Sequence, residues 1–315
     1  PNDVNAFYQR DTHSLQFDRF ITSTVEGQKD DHKSKSKNKN NKTIVTKCCG
    51  TSFEIVAHET GHAILDAIHP KWMESNQLLS WTFQEFFADA TVICGHLSQL
   101  DVCKDLVRIT DCDLMKENPM SAMGEELAQA LGVGGCLRSG LNTFTVHDIQ
   151  TTTTSSPSLP SPNGSTGTPT LSLECHDLSQ ILTGMFYHII ANVFARQCNP
   201  ALFDPGETLF RVGKKARKLL ISSILQMPET DPTFTRFGEL MCGYAQTMDN
   251  TSGGGDGGGS GVWREEVEQE IMSRGIFGTN WKEIEFGLHN ASQPAVHHCI
   301  SGSTVHCTTF TVSHK

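Results

Sequence analysis

His58, Glu59 and His62 stand at H-E-x-x-H spacing within Val56-Ala57-His58-Glu59-Thr60-Gly61-His62-Ala63-Ile64-Leu65. On a helix, residues four apart share a face, so both imidazoles can reach one metal ion. Glu59 projects beside them, where a carboxylate can take a proton from a water that the metal has made acidic. Gly61 is a poor helix former, by about 1 kcal/mol relative to Ala, so its presence points to close packing at that position. Five residues alone leave a second reading open, a half-buried helix with two satisfied histidines. A third ligand decides between the two, because a catalytic zinc takes three protein ligands and keeps one position open.

Two routes lead to that ligand. One continues the motif as x-x-G-x-x-H, but the Gly and His positions hold Leu65 and Ile68, and His69 is one residue out of register. The other takes a carboxylate from a following helix. Glu85-Phe86-Phe87-Ala88-Asp89 is an E-x-x-x-D pair on one helical face, and 22 residues separate His62 from Glu85. That length lets the first helix end at Pro70, the chain turn, and a second helix return alongside. Glu85 would ligate, and Asp89 would accept a hydrogen bond from the far nitrogen of a ligand histidine, fixing its tautomer. A solvated acidic face is the plain alternative. It fits poorly, because Trp81, Phe83, Phe86, Phe87, Ala88 and Ala90 surround both carboxylates, and burying them without a cation is costly.

Hydrophobic periodicity supplies the elements that must carry these residues. Helices are expected at about 52–68, 81–97, 101–109, 122–131, 175–196, 207–225, 233–247 and 263–273. A Thr51/Glu54 capping box opens the first, and Ser80 caps the second. Residues 4–8 and 15–21 read as extended, and alternation around 303–311 suggests a strand-like tail. Three segments read as low-complexity insertions or linkers that bury too little to repay ordering: 28–47, 150–170 and 251–261. The expected organisation is therefore a partial N-terminal lobe over 1–70, a helical lobe over 71–275, and a tail over 276–315.

The constellation resembles the gluzincin metallopeptidases, and within them the thermolysin-like and fungalysin-like enzymes. Two further places are similar to that family. Asn5-Ala6-Phe7-Tyr8 looks like its substrate-binding edge strand, and Glu174-Cys175-His176 looks like the E-x-H start of a helix whose histidine donates to the tetrahedral intermediate. The resemblance implies an α+β zincin with a reduced N-terminal β lobe, the H-E-x-x-H helix at the cleft, and a mainly helical C-terminal lobe. It also implies Zn2+ on His58, His62 and Glu85, Asp89 behind them, and Glu59 and His176 as catalytic residues. Asn5, Ala6 and Phe7 would then bind substrate backbone. His188, twelve residues beyond His176, reads as a packed or rim histidine.

The expected function is hydrolysis of a peptide bond in a peptide or protein substrate. The alternative is an inactive gluzincin-like domain that binds zinc or a protein partner, and a non-peptide substrate is a further one. Composition narrows the field. A net charge of -10 over 315 residues argues against nucleic acid as the main partner. Residues 28–47 carry seven lysines against two aspartates, so a basic segment sits on an otherwise acidic chain. The most apolar stretch, 181–195, reads as too short for a membrane span. The chain begins at Pro1, as a processed or truncated product would. Eleven cysteines without a C-x-x-C pair, and sequons at Asn41, Asn163, Asn250 and Asn290, leave the compartment open.

Overall fold

The computed structural model describes residues 6–17, 19–24, 43–131, 135–149, 171–251 and 261–278, together with Trp281, Ile284, Glu285 and Leu288. The described chain opens with two antiparallel strand pairs. Strand β1 (Ala6–Gln9) pairs with β2 (Ser14–Phe17) across a short turn, and β3 (Arg19–Thr24) pairs with β4 (Thr43–Cys48). Helix α1 (Phe53–Ile68) follows, then the short α2 (Pro70–Glu74), α3 (Leu78–His96) and α4 (Leu100–Thr110). Strand β5 (Ala122–Met123), helix α5 (Glu125–Leu131) and strand β6 (Arg138–Ser139) form a small excursion in which β5 pairs antiparallel with β6. Four more helices complete the order: α6 (Cys175–Gln197), α7 (Pro205–Leu225), α8 (Phe234–Thr251) and α9 (Val262–Ser273). The class is α+β and mostly helical.

Packing explains why the helices form where periodicity puts them. The most extensive helix contact is α1 against α3, and α3 packs in turn on α6. Phe83 lies edge-on to Phe86, Phe234 and Phe237 at ring-centroid distances of 5.6–6.3 Å, the arrangement that aromatic quadrupoles favour. Helix α6 is long and apolar enough, by length and composition, to cross a membrane, but 83% of its apolar window is buried inside the protein. Gly61 supplies the close approach expected of it. A Cβ there would meet the Ala88 Cα of α3 at 2.6 Å, so only a residue without a side chain lets the two helices come this near. A smaller second core of Ala6, Cys49, Ile55 and Leu127 fastens β1 and α5 to α1.

Several expectations give way to tertiary contacts. Thr51 and Glu54 do not form a capping box. Ser52 occupies the N-cap position without a side-chain bond, Thr51 Oγ1 donates to the Cys48 carbonyl, and Glu54 instead accepts a 2.7 Å bond from Gly124 N–H. Helix α3 starts three residues early, at Leu78, so Ser80 lies inside it and is buried rather than capping it. The 122–131 segment divides into β5 and α5, because Gly124 takes a positive φ of 73° that ends the strand before the helix starts. Residues 43–47 of the expected 28–47 insertion belong to β4, where they pair with β3. Ile276, Trp281 and Leu288, expected in a tail, are buried in the main core. Residues 28–42, 150–170, 252–260 and 303–311 lie outside the described residues.

Candidate metal centre

Helix α1 carries His58 and His62 one turn apart, and α3 carries Glu85 and Asp89 one turn apart on the face that meets them. Their ligand atoms converge. His58 Nε2 and His62 Nε2 are 3.2 Å apart. Glu85 Oε2 is 3.6 Å from His58 Nε2, and Glu85 Oε1 is 3.7 Å from His62 Nε2. Ligands about 2.0–2.1 Å from a common tetrahedral ion stand about 3.3–3.4 Å from one another, so these separations fit a zinc-sized ion. Behind them Asp89 Oδ1 lies 3.0 Å from His58 Nδ1, which orients that ring with Nε2 toward Glu85 and His62.

Charge supports the same fit. Glu59, Glu85 and Asp89 are each at most 3% exposed, and among the described residues the permanent cation beside them is Arg138. With His58 protonated these charges nearly balance, and a divalent cation would displace that proton and take its place among the carboxylates. Burial alone would lower the His58 pKa, but Asp89 and Glu85 together raise it to about 9. Burial would likewise raise Glu85, yet His176, His58 and His62 hold it well below the usual carboxylate range. His62 goes the other way, driven by burial down to about 3, so this imidazole is neutral and has a lone pair to give. Its Nδ1 finds no hydrogen-bond partner among the described residues.

Glu59 sits between the two histidines on α1. Burial raises its pKa to about 7, with His58 opposing. It accepts a hydrogen bond from the backbone N–H of Tyr8 in β1, while Glu59 Oε2 is buried with no partner among the described residues. One oxygen side is anchored and the other is available.

No family model, curated protein or solved structure matches this chain. The reading of the site therefore rests on its own geometry.

His176 reaches the same place from α6. Glu174 caps that helix by accepting from the N–H groups of His176 and Asp177, and it also hydrogen-bonds His176 Nδ1. The opposite ring nitrogen, Nε2, stands 3.3 Å from Glu85 Oε2. Burial would lower the His176 pKa, but Glu85 and Glu174 raise it, which favours the donor form of the ring. Ala6 lines a small cleft of about 40 Å³ beside His58 and Glu59, with Ile55, Met123, Leu127 and Leu137 as its apolar wall. Phe7 is on β1 next to it, and Asn5 lies outside the described residues.

Two functional contributions escaped the sequence. Arg138, on β6, places Nη2 2.8 Å from Asp89 Oδ1 and Nη1 3.8 Å from Glu85 Oε2. It stands 49 residues from Asp89, and no periodicity links two such positions. Tyr8 was legible only as an aromatic in the strand motif. Its hydroxyl donates to Asp66 Oδ2 at 2.9 Å, and Arg10 Nε pairs with Asp66 Oδ1 at 2.9 Å, so β1 is bolted to the end of α1. Asp66 lies four residues past His62, a spacing that could have drawn attention to it.

Among the described residues, His69, His188 and Tyr187 are engaged elsewhere. His69 stacks on Trp72 and bonds the Ile224 carbonyl. His188 faces Glu270. Tyr187 donates to the Leu114 carbonyl.

Proposed function

We propose that this chain is a zinc-dependent peptidase of the gluzincin, thermolysin-like kind, with His58, His62 and Glu85 as ligands and Glu59 as general base. The observation that carries the reading is the convergence of three ligand atoms from α1 and α3 with a buried, half-anchored carboxylate beside them. A reduced N-terminal β lobe, represented by β1–β4, and a helical C-terminal lobe go with that proposal. When bound, zinc would supply Lewis acidity that makes a water molecule acidic near neutral pH and polarises a carbonyl.

The chain's own residues do the rest. Glu59 takes the proton of the attacking water at its unpartnered oxygen and later delivers it to the leaving amine. His176 donates from Nε2 to the oxygen on which negative charge develops. Asp89, held by Arg138 and by Thr183 Oγ1 at 3.3 Å, keeps the His58 ring in place. An extended peptide would lie along β1, with Ala6 and Phe7 setting its register, and direct an apolar side chain into the Ile55–Leu127 wall.

The decisive experiment pairs elemental analysis with an unbiased peptide library. One zinc per chain and cleavage that stops on chelation are expected. Zinc without cleavage would leave the inactive zinc-binding or protein-interaction domain as the better account, and absence of stoichiometric metal would remove the proposal.

A further inference from the structure

Helix α7 carries five cations within eight residues, Arg211, Lys214, Lys215, Arg217 and Lys218, in a chain whose net charge is -10. Residues 208–228 contain no Asp or Glu, although the chain has 35 of them. One side of α7 is held in the core, where Val212, Ala216, Leu219 and Ile224 are buried. At 3.6 residues per turn, Arg211, Lys214, Lys215, Lys218 and Leu225 fall within an arc of about 100° on the other side. Arg211, Lys214 and Lys218 are exposed, and among the described residues no carboxylate forms an ion pair with any of the three. Glu207 stands on the same face one turn before Arg211, so the stripe sets four cations against one carboxylate.

Apolar side chains stand at both ends of this basic stripe. Leu225 is 55% exposed at the C-terminal end of α7. Leu202 and Phe203, in the turn that precedes the helix, are 69% and 56% exposed. Phe203 is continuous with the stripe, because Arg211 Cζ lies 5.8 Å from its ring centroid. Hydrogen bonds fix the turn. The N–H groups of Leu202 and Phe203 both donate to the Asn199 carbonyl at 3.0 Å, and Asp204 caps α7 by accepting from Glu207 N–H at 2.9 Å. The backbone therefore holds both apolar side chains out in water, where their exposure forgoes the stabilisation that burial would give.

We propose that this face of α7 docks on the surface of an anionic phospholipid bilayer. Cations alone would fit any polyanion. The apolar ends decide the matter, because a lipid surface stabilises both parts. Lysine and arginine meet the headgroup charge, while Leu202, Phe203 and Leu225 enter the acyl boundary. A nucleic acid or a sulfated polysaccharide offers leucine side chains no apolar medium. The stripe runs about 21 Å from Arg211 to Leu225, so α7 would lie in the plane of the membrane without spanning it. None of these residues belongs to the metal centre or lines its cleft, and the docking does not depend on the peptidase reading.

The test is cosedimentation of the full chain with mixed phosphatidylserine/phosphatidylcholine vesicles. Binding at low salt is expected, weaker by about 10-fold or more on phosphatidylcholine alone and at high salt. Lys214→Glu/Lys218→Glu should weaken it by about 100-fold, and Leu202→Ser/Phe203→Ser by about 10-fold. Neither change should move Tm, because these side chains are exposed. The wild-type protein alone can overturn the proposal, by binding both lipid compositions equally or neither of them. Wild-type affinity in Lys214→Glu/Lys218→Glu would place the contact on another surface and overturn it too. Wild-type affinity in Leu202→Ser/Phe203→Ser would remove the reason for choosing a bilayer over a soluble polyanion, and the proposal with it.

Discussion

Glu59 is flanked by two ligand-type histidines, so substitution there separates proton transfer from metal binding. Glu59→Gln preserves size and helical context and cannot take a proton. It should retain zinc and the wild-type Tm while losing activity by about 100-fold or more. Full activity in Glu59→Gln would move the chemistry elsewhere and leave the metal structural. Asp89 is a different case, because it accepts from Thr183 and Arg138 as well as facing His58. Asp89→Asn keeps the shape, but its amide can no longer match the donors arrayed round it. Zinc affinity should fall by about 10- to 100-fold, measured by competition with a chromogenic chelator. Unchanged affinity would show that His58 is oriented without it.

At the scale of elements, the site exists because α1 and α3 approach closely enough for four side chains to meet. Gly61 sets that approach, since a Cβ would come within 2.6 Å of backbone. Gly61→Ala improves helix propensity locally, yet it should destabilise the protein by about 1–3 kcal/mol, because α3 backbone cannot yield as a flexible side chain would. The displaced α1 would carry His58 and His62 away from Glu85, so zinc affinity should fall together with Tm. A more stable Gly61→Ala with unchanged zinc would mean that the helices can separate at no cost to the site.

The molecule as a whole gathers three buried carboxylates and two imidazoles at the point where, on the proposed reading, a metal binds the folded chain alone. Chelation should therefore lower Tm reversibly, and readdition of zinc should restore it, because metal binding is coupled to folding. A Tm indifferent to chelator would argue that no metal resides there. The long low-complexity stretch tests the opposite property. Its flanks, Ile149 and Leu171, form a parallel bridge, and Leu171 N–H donates to the Asp148 carbonyl at 2.8 Å. Replacing residues 151–169 by a short glycine linker should thus leave Tm and zinc content unchanged or slightly raised, since shortening a loop between joined ends lowers the entropy of closure. Loss of the fold would mean that this stretch contributes packing of its own.

Local spacing alone determined much of this protein. Seven of the eight expected helices survive with ends shifted by a few residues, because the 3.6-residue period records which face is buried before any partner is known. The four-residue steps His58–His62 and Glu85–Asp89 likewise need only helix geometry to put each pair on one face. Composition likewise marks residues 150–170, which lie outside the described residues, as too poor in apolar groups to repay ordering. Only the tertiary structure decided what depends on the path of the chain. Thr51 and Glu54 have the spacing of a cap, yet Glu54 turns to Gly124, seventy residues away. Residues 43–47 look like filler until β3 supplies a ladder for them. Arg138 on Asp89 and Tyr8 on Asp66 join residues tens of positions apart. Their interaction energies depend on distance through space, and the sequence records separation only along the chain.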